Sequence, residues 1–180
     1  MVKQIVEHND SFVKNDRNLC NTSSKNPKKE VVILTCMDAR LLTFLPDALG
    51  ISDGDVKMIR NAGSLIISEH DTTIRSLLIA IIEFNIHEVM IIGHSDCGVS
   101  RLTPEKAYKK LNSRGVLLES IEGYSENNAD FHKWFKGFES DERAVLQSTQ
   151  FLESHPLMPS DVRIYGYVID TETGVLSSVN

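Results

Sequence analysis

The 180-residue chain has no run of 18 apolar residues, no internal repeat and no low-complexity segment. The first absence leaves no candidate for a membrane-spanning helix. Positive charge is also short: 19 Lys and Arg stand against 25 Asp and Glu, for a net charge of −6. Phosphate binding wants a basic face, so nucleic acid is not an expected partner. The Lys-rich stretch from Lys25 to Lys29 is interrupted by Asn26 and Pro27 and reads as a solvated loop. Cysteine is scarce and odd in number, at three. The opening residues Met1 to His8 mix charge into their apolar positions instead of building the apolar core of an export signal. Disulfides are therefore not the expected use of these thiols; a reducing cytoplasm and metal binding are. Cys20 has polar neighbours and is given no role. What remains is an ordinary composition for one globular domain, 41% hydrophobic and 24% charged.

Val2, Ile5, Val6, Phe12 and Val13 place an amphipathic helix over residues 2–15. A polar stretch from Asn21 to Glu30 leads into a strand at Val31 to Thr35. Leu41 to Leu49 reads as a helix with Gly50 at its left-handed end. A weaker strand over Asp55 to Arg60 runs into a turn at Asn61-Ala62-Gly63. Thr72 and Thr73 are the expected caps of a buried helix from Ile74 to Phe84, which Asn85 ends. Glu88 to Gly93 is a third strand. Thr103-Pro104 opens a helix that closes near Gly115. Residues 116–140 show no clear pattern. Glu142 to Ser154 is helical in pattern, Val162 to Ile169 is a last strand, and Thr171 to Gly174 is a turn into a short tail. Strands continuous in Val and Ile that alternate with helices predict a single α/β domain over residues 1–180, with a mainly parallel central sheet flanked by helices. Ligands bind such sheets at the carboxyl ends of the strands, where Cys36, Asn61 to Gly63 and His94 to Cys97 all fall.

Those strand ends carry a metal-ligand set. His94 and Cys97, three residues apart on the turn after a strand, can face one ion, and Cys36 supplies a third donor from another strand end. Thiolate donors favour zinc, and three protein ligands leave one tetrahedral position open, the arrangement of a site that activates water. One Zn2+ per chain is expected. Asp38 and Arg40, two apart in extended chain, share a face and can form a forked ion pair that keeps Asp38 ionised. Asp38 can then orient water at the metal, or swing in as a fourth ligand and switch the site off. Gly63 and Gly98 are read as allowing close backbone approach to metal or substrate, and with Asn61 and Ala62 they form the candidate substrate pocket. Asp96 is expected to support the ligand turn from outside or to cap a helix. His8, His70, His87, His132 and His155 show no ligand spacing. Trp134 with Phe131, Phe135 and Phe138 is read as packing, in the core or between subunits.

Cys-Met-Asp-Ala-Arg (36–40), Arg-Asn-Ala-Gly (60–63), Ile-Arg-Ser-Leu (74–77) and Gly-His-Ser-Asp-Cys-Gly (93–98) resemble the motifs of the β-class carbonic anhydrases, most nearly the compact prokaryotic branch. The resemblance runs from the N-terminal helix to Gly166 through Asp170 and Thr173-Gly174. It implies zinc on Cys36, His94 and Cys97, a catalytic dyad of Asp38 and Arg40, and reversible hydration of carbon dioxide to bicarbonate and a proton. It also implies a homodimer or homotetramer in which the arm at residues 1–28 packs on a partner subunit. The chain departs from the pattern at several positions. Ala39 stands where Ser is common, Ser95 where Thr is, and Ser64 where Asn or Gly is. Asn85 replaces a helix-ending Gly, and the pocket glutamine of the plant-like branch has no counterpart.

Three other readings compete. Carbonyl sulfide or carbon disulfide hydrolysis would use the same ligands. A non-catalytic zinc-binding homologue would keep them without a need for Asp38 and Arg40. Gly93-His-Ser95-Asp-Cys97 comes within one residue of the G-x-S-x-G nucleophile elbow of serine hydrolases, but that reading leaves Cys36 to Arg40 unexplained.

Overall fold

The computed structural model describes residues 1–14, 24–127 and 131–180. Cys20 and residues 15–23 of the expected arm lie outside the described residues. Four parallel strands make the sheet: β1 (Val31–Cys36), β2 (Lys57–Asn61), β3 (Glu88–His94) and β4 (Arg163–Ile169). A fifth, β5 (Leu176–Ser178), pairs antiparallel with β4, giving the order β2-β1-β3-β4-β5. The tail expected after Thr171 to Gly174 is thus a strand. Three residues are too few to show alternation, and it exists through its pairing with Tyr167 to Ile169. β2 starts later than its apolar pattern suggests because the Asp55 carboxylate is engaged in the preceding loop, accepting the Ser52 N–H at 3.2 Å and facing Lys28 and Lys29.

The helices are α1 (Val2–Lys14), α2 (Leu41–Leu49), α3 (Thr72–Phe84), α4 (Pro104–Asn112), α5 (Leu118–Asn127), α6 (Phe131–Trp134) and α7 (Asp141–Glu153). α5 and α6 fall in the stretch whose sequence shows no pattern. The cap of α3 is Asp71 and not Thr72 or Thr73: its carboxylate accepts the Thr73 N–H at 2.8 Å, and both threonines are already in the first turn. Asn85 ends α3 in the left-handed region, at φ 51°.

Side chains alternate across the strands and fill two layers. Val32, Leu34, Val89 and Ile91 pack with Leu77 and Ile81 of α3 and Val145 and Leu152 of α7. Ile33, Ile92 and Ile169 pack with Leu41 and Leu45 of α2, in the cluster that also holds Cys36 and Cys97. α7 lies very close to the sheet: a Cβ on Gly93 would sit 2.7 Å from Val145 Cγ2. A third, small cluster of Ala107, Ile121 and Phe131 sits under α4, α5 and α6. α1 has no buried residue, so Val2, Ile5, Val6 and Val13 stand exposed. Among the described residues no helix is long and apolar enough to cross a membrane.

The chain leaves β1 toward β2 on one side and comes back to β3 on the other, which makes the carboxyl end of β1 a topological switch point. Register does the rest. Cys36 pairs with Asn61, and Thr35 pairs with Ile92 two residues before His94, so three loops open at one level.

Candidate metal centre

Cys36 closes β1, His94 closes β3, and Cys97 follows in the turn that His94 begins. All three are buried, at 3%, 1% and 2% exposure. One donor atom from each lies within 4.8 Å of the other two. The Sγ atoms of Cys36 and Cys97 are 3.9 Å apart, far beyond the ~2.05 Å of a disulfide. Two thiolates at ~2.3 Å from a tetrahedral zinc would stand about 3.8 Å apart, so the spacing fits that ion. His94 supplies a second test. Its Nδ1 is 2.9 Å from the Ser95 carbonyl, which takes the ring proton on that side. Its Nε2 is buried without a hydrogen-bond partner. A buried orphan nitrogen beside two thiols is costly unless a metal takes its lone pair.

The electrostatics of the thiol pair are uneven. The hydrogen bond shared with Cys97, helped by His94 and the Gly63 and Asp38 N–H groups, brings Cys36 down to about 4 against the opposing effect of burial. Cys97 is pushed up, by that same shared bond and by burial. Burial alone would lower His94, but the neighbouring Cys36 sulfur and its charge raise it. Gly63 is part of this arrangement. Its N–H lies 3.4 Å from Cys36 Sγ, its φ is 82°, and a Cβ there would press on Phe138, Leu65 and Val99.

Asp38 and Arg40 do pair, though not through extended chain. Arg40 sits at the start of α2 with φ −63° and ψ −28°, and its own N–H bonds Asp38 Oδ1 at 2.9 Å, so the two residues occupy a turn. The turn brings the side chains together: Arg40 Nε reaches Oδ1 at 3.1 Å and Nη2 reaches Oδ2 at 2.9 Å. This fork holds Asp38 at about 2, well below the usual carboxylate value. Asp38 Oδ2 stands 3.8 Å from His94 Nε2.

The other pocket candidates divide. Asn61 spends its side chain on structure, donating to the Leu65 carbonyl at 2.7 Å and Thr73 Oγ1 at 3.0 Å and accepting the Leu65 N–H at 3.2 Å. Ala62 borders a hollow of about 350 Å³ with Leu65, Val99, Leu102 and Phe135. A Cβ on Gly98 would meet nothing within 4 Å, so no neighbour in the described chain requires glycine there. Asp96 caps no helix; it contacts Arg40 and Arg101. Ser95 Oγ accepts the Thr171 N–H at 2.9 Å and lies 3.1 Å from Thr171 Oγ1, and among the described residues no base is hydrogen-bonded to it, which argues against the serine hydrolase reading. Phe131, Trp134 and Phe135 form one ring cluster, while Phe138 leaves it to pack toward the metal centre.

Two features escape a reading of residues in line. Ser64, at φ 58°, occupies a left-handed position and donates its hydroxyl to the Ile92 carbonyl at 2.8 Å, tying the Gly63 turn to β3. The presence of Ser where Asn or Gly is common was the available signal. Asp141, first in α7, keeps a buried Oδ1 without a partner, and burial raises its pKa. Nothing in its local sequence distinguishes it from an ordinary first-turn acid.

A mostly parallel α/β sheet whose switch point gathers two cysteines, one histidine and an arginine-held aspartate presents the donor set of a class of enzymes that can hold a metal ion with one position open. The carbonic anhydrase family model matches residues 31–176. The Bacillus subtilis protein YtiB, provisionally named a carbonic anhydrase, is 38% identical over 179 residues, covering 99% of this chain and 96% of that one. A carbon disulfide hydrolase of an Acidianus species is 36% identical over 162 residues, 82% of this chain and 76% of its own. The crystal structure of β-carbonic anhydrase isoform I from Trichomonas vaginalis superposes with a TM-score of 0.87 at 26% identity, covering 99% of this chain and 97% of that one. The chain belongs to the β-class carbonic anhydrase family.

Proposed function

We propose that the chain is a zinc-dependent carbonic anhydrase, catalysing the reversible hydration of carbon dioxide to bicarbonate and a proton. The observation that carries this reading is the buried, unpartnered Nε2 of His94, facing two thiols and standing 3.8 Å from a carboxylate that Arg40 keeps ionised. Cys36, His94 and Cys97 would hold the zinc. When bound, zinc lowers the pKa of a coordinated water from ~15.7 to roughly 7, the chemistry that a hydration at neutral pH needs.

The chain's own residues do the remaining work. Asp38 Oδ2 accepts a hydrogen bond from the attacking water and fixes its orientation. Arg40 keeps that carboxylate charged, so that it accepts and does not donate. The Gly63 N–H supports the charge on Cys36. Ala62, Leu65 and Val99 offer the small apolar wall suited to carbon dioxide, and Gly63 packs closely against Leu65 and Val99. The charged Asp38–Arg40 pair argues for catalysis over a purely structural metal site. Two or four copies assemble through the exposed apolar stripe of α1, and the reduced thiols suit the cytoplasm.

The test is stopped-flow carbon dioxide hydration at pH 8.5 on protein of known zinc content. Activity at about one zinc per chain that a chelator abolishes supports the proposal. Carbon disulfide hydrolysis has a specific observation behind it, the relatives of that name, and requires the same ligands. Parallel assays on carbon disulfide and carbonyl sulfide decide between the two, and a preference for either sulfur substrate overturns the first reading.

A further inference from the structure

Arg40 makes more contacts than its pair with Asp38 requires. Nη2, besides reaching Asp38, donates to the main-chain carbonyl of Asp96 at 3.0 Å, and Nη1 lies 3.6 Å from Asp96 Oδ2. The other carboxylate oxygen of Asp96 accepts from Arg101 Nη2 at 2.7 Å. Asp96 belongs to the short loop between the ligands His94 and Cys97, and its backbone is left-handed, with φ 52°. A continuous chain of polar contacts therefore runs Arg101–Asp96–Arg40–Asp38 and ends beside His94. It joins the loop after β1 to the loop after β3, the two loops that follow Cys36 and His94.

We propose that Asp96, braced by Arg101, is a positioning residue that latches Arg40 onto Asp38 and so keeps the Asp38 carboxylate beside the metal and off it. This inference rests on the reading of Cys36, His94 and Cys97 as zinc ligands. Carboxylate oxygen is itself a zinc ligand type, and Asp38 Oδ2 at 3.8 Å from His94 Nε2 is within reach of the position that those ligands leave open. What holds Asp38 back is competition from the Arg40 guanidinium. Arg40 is a long, half-exposed side chain, and an exposed ion pair by itself is weakly held. The Asp96 carbonyl and carboxylate give its planar fork a second and third anchor and leave it one orientation. Arg101 turns the Asp96 carboxylate while making no contact with Asp38. The latch thus contributes geometry at the site more than stability to the fold.

Three variants separate its parts. Asp96→Gly deletes the carboxylate while permitting the left-handed backbone, and with it the carbonyl contact. Asp96→Asn keeps the backbone preference and most of the shape but removes the charge. Arg101→Ala removes only the brace. Each is compared with the parent as cobalt-loaded protein, by its visible absorption, and as zinc protein, by the kcat and KM of carbon dioxide hydration.

Asp96→Gly is expected to change the cobalt spectrum and to lower kcat about tenfold with KM nearly unchanged, the scale on which small misplacements act. Asp96→Asn should recover part of that loss, and Arg101→Ala should move both readouts the same way by a smaller factor. In an Asp38→Ala background, Asp96→Gly should leave the cobalt spectrum unchanged, because the carboxylate that moves is gone. A spectrum of Asp96→Gly that superimposes on the parent's, or one that changes equally without Asp38, overturns the proposal. If the parent binds cobalt but does not hydrate carbon dioxide, the carbonic anhydrase reading fails and the spectral comparison still decides the latch. A parent that binds no cobalt sinks the metal reading and the latch together.

Discussion

The candidate metal centre and the small core under α4, α5 and α6 are built by opposite means. Cys36 and Cys97 are 61 residues apart in the chain, and parallel pairing of β1 with β3 brings them to 3.9 Å. Neither moves unless the register of the sheet moves. The helical segment instead joins neighbours in sequence around three buried side chains, Ala107, Ile121 and Phe131, with partly buried Leu102, Tyr108, Leu111, Val116 and Phe135 around them. Few buried contacts of local origin place it at the low end of the stability range within one molecule, while the strands share the global value. Donors that could hold one ion need fixed mutual distances, and here two of the three close paired strands at the centre of the sheet.

The difference can be broken from either side. Cys36→Ser or His94→Ala should have the largest effect, loss of zinc and with it of essentially all hydration activity, read as metal content per chain beside stopped-flow rates. Phe131→Ala should remove about 3 kcal/mol from the segment it anchors. Amide exchange should then speed up over residues 104–134 while zinc stays near one per chain; zinc lost in proportion would show that the two regions are one cooperative unit. Asp38→Ala should keep the metal and slow hydration about 10²-fold, the usual scale for removing a positioned proton acceptor. Undiminished activity would refute the role given to Asp38.

Smaller effects sharpen the contrast. Gly93→Ala drives a methyl to 2.7 Å from Val145 Cγ2 in the packed layer under His94, and should cost about 1–3 kcal/mol by denaturant unfolding. Asn85→Ala asks an ordinary residue to hold φ 51° at the end of α3, and should cost only about 1 kcal/mol with zinc content unchanged.

Legibility follows the same division. β1 and β3 read clearly because strands buried on both faces need unbroken apolar runs, and Cys36 and His94 stand at their carboxyl ends. The Asp38–Arg40 pair was legible as a pair, but its geometry was not: the expected extended segment is a turn, since α2 starts at once and Arg40 already has helical backbone angles. Residues 116–140 stayed dark because the faces of α5 and α6 meet a cluster of a few residues and not a sheet, so no long apolar period is required of them. β5 was invisible for a related reason, as its three residues are strand only by virtue of β4. The departures at Ser64 and Asn85 become intelligible once both are seen at positive φ, where Asn and Gly are the usual occupants.

By itself the sequence determined the donor types, two thiols and one imidazole, their placement just past apolar strands, and the presence of an aspartate and an arginine two residues apart. Those are matters of side-chain chemistry and local periodicity, which neighbouring residues suffice to specify. Tertiary structure alone decided that the three donors meet within 4.8 Å, that His94 Nε2 is left without a partner, and that Asp96 reaches across to Arg40. Each of these depends on the register between β1 and β3, a relation between segments some 60 residues apart that no local pattern encodes.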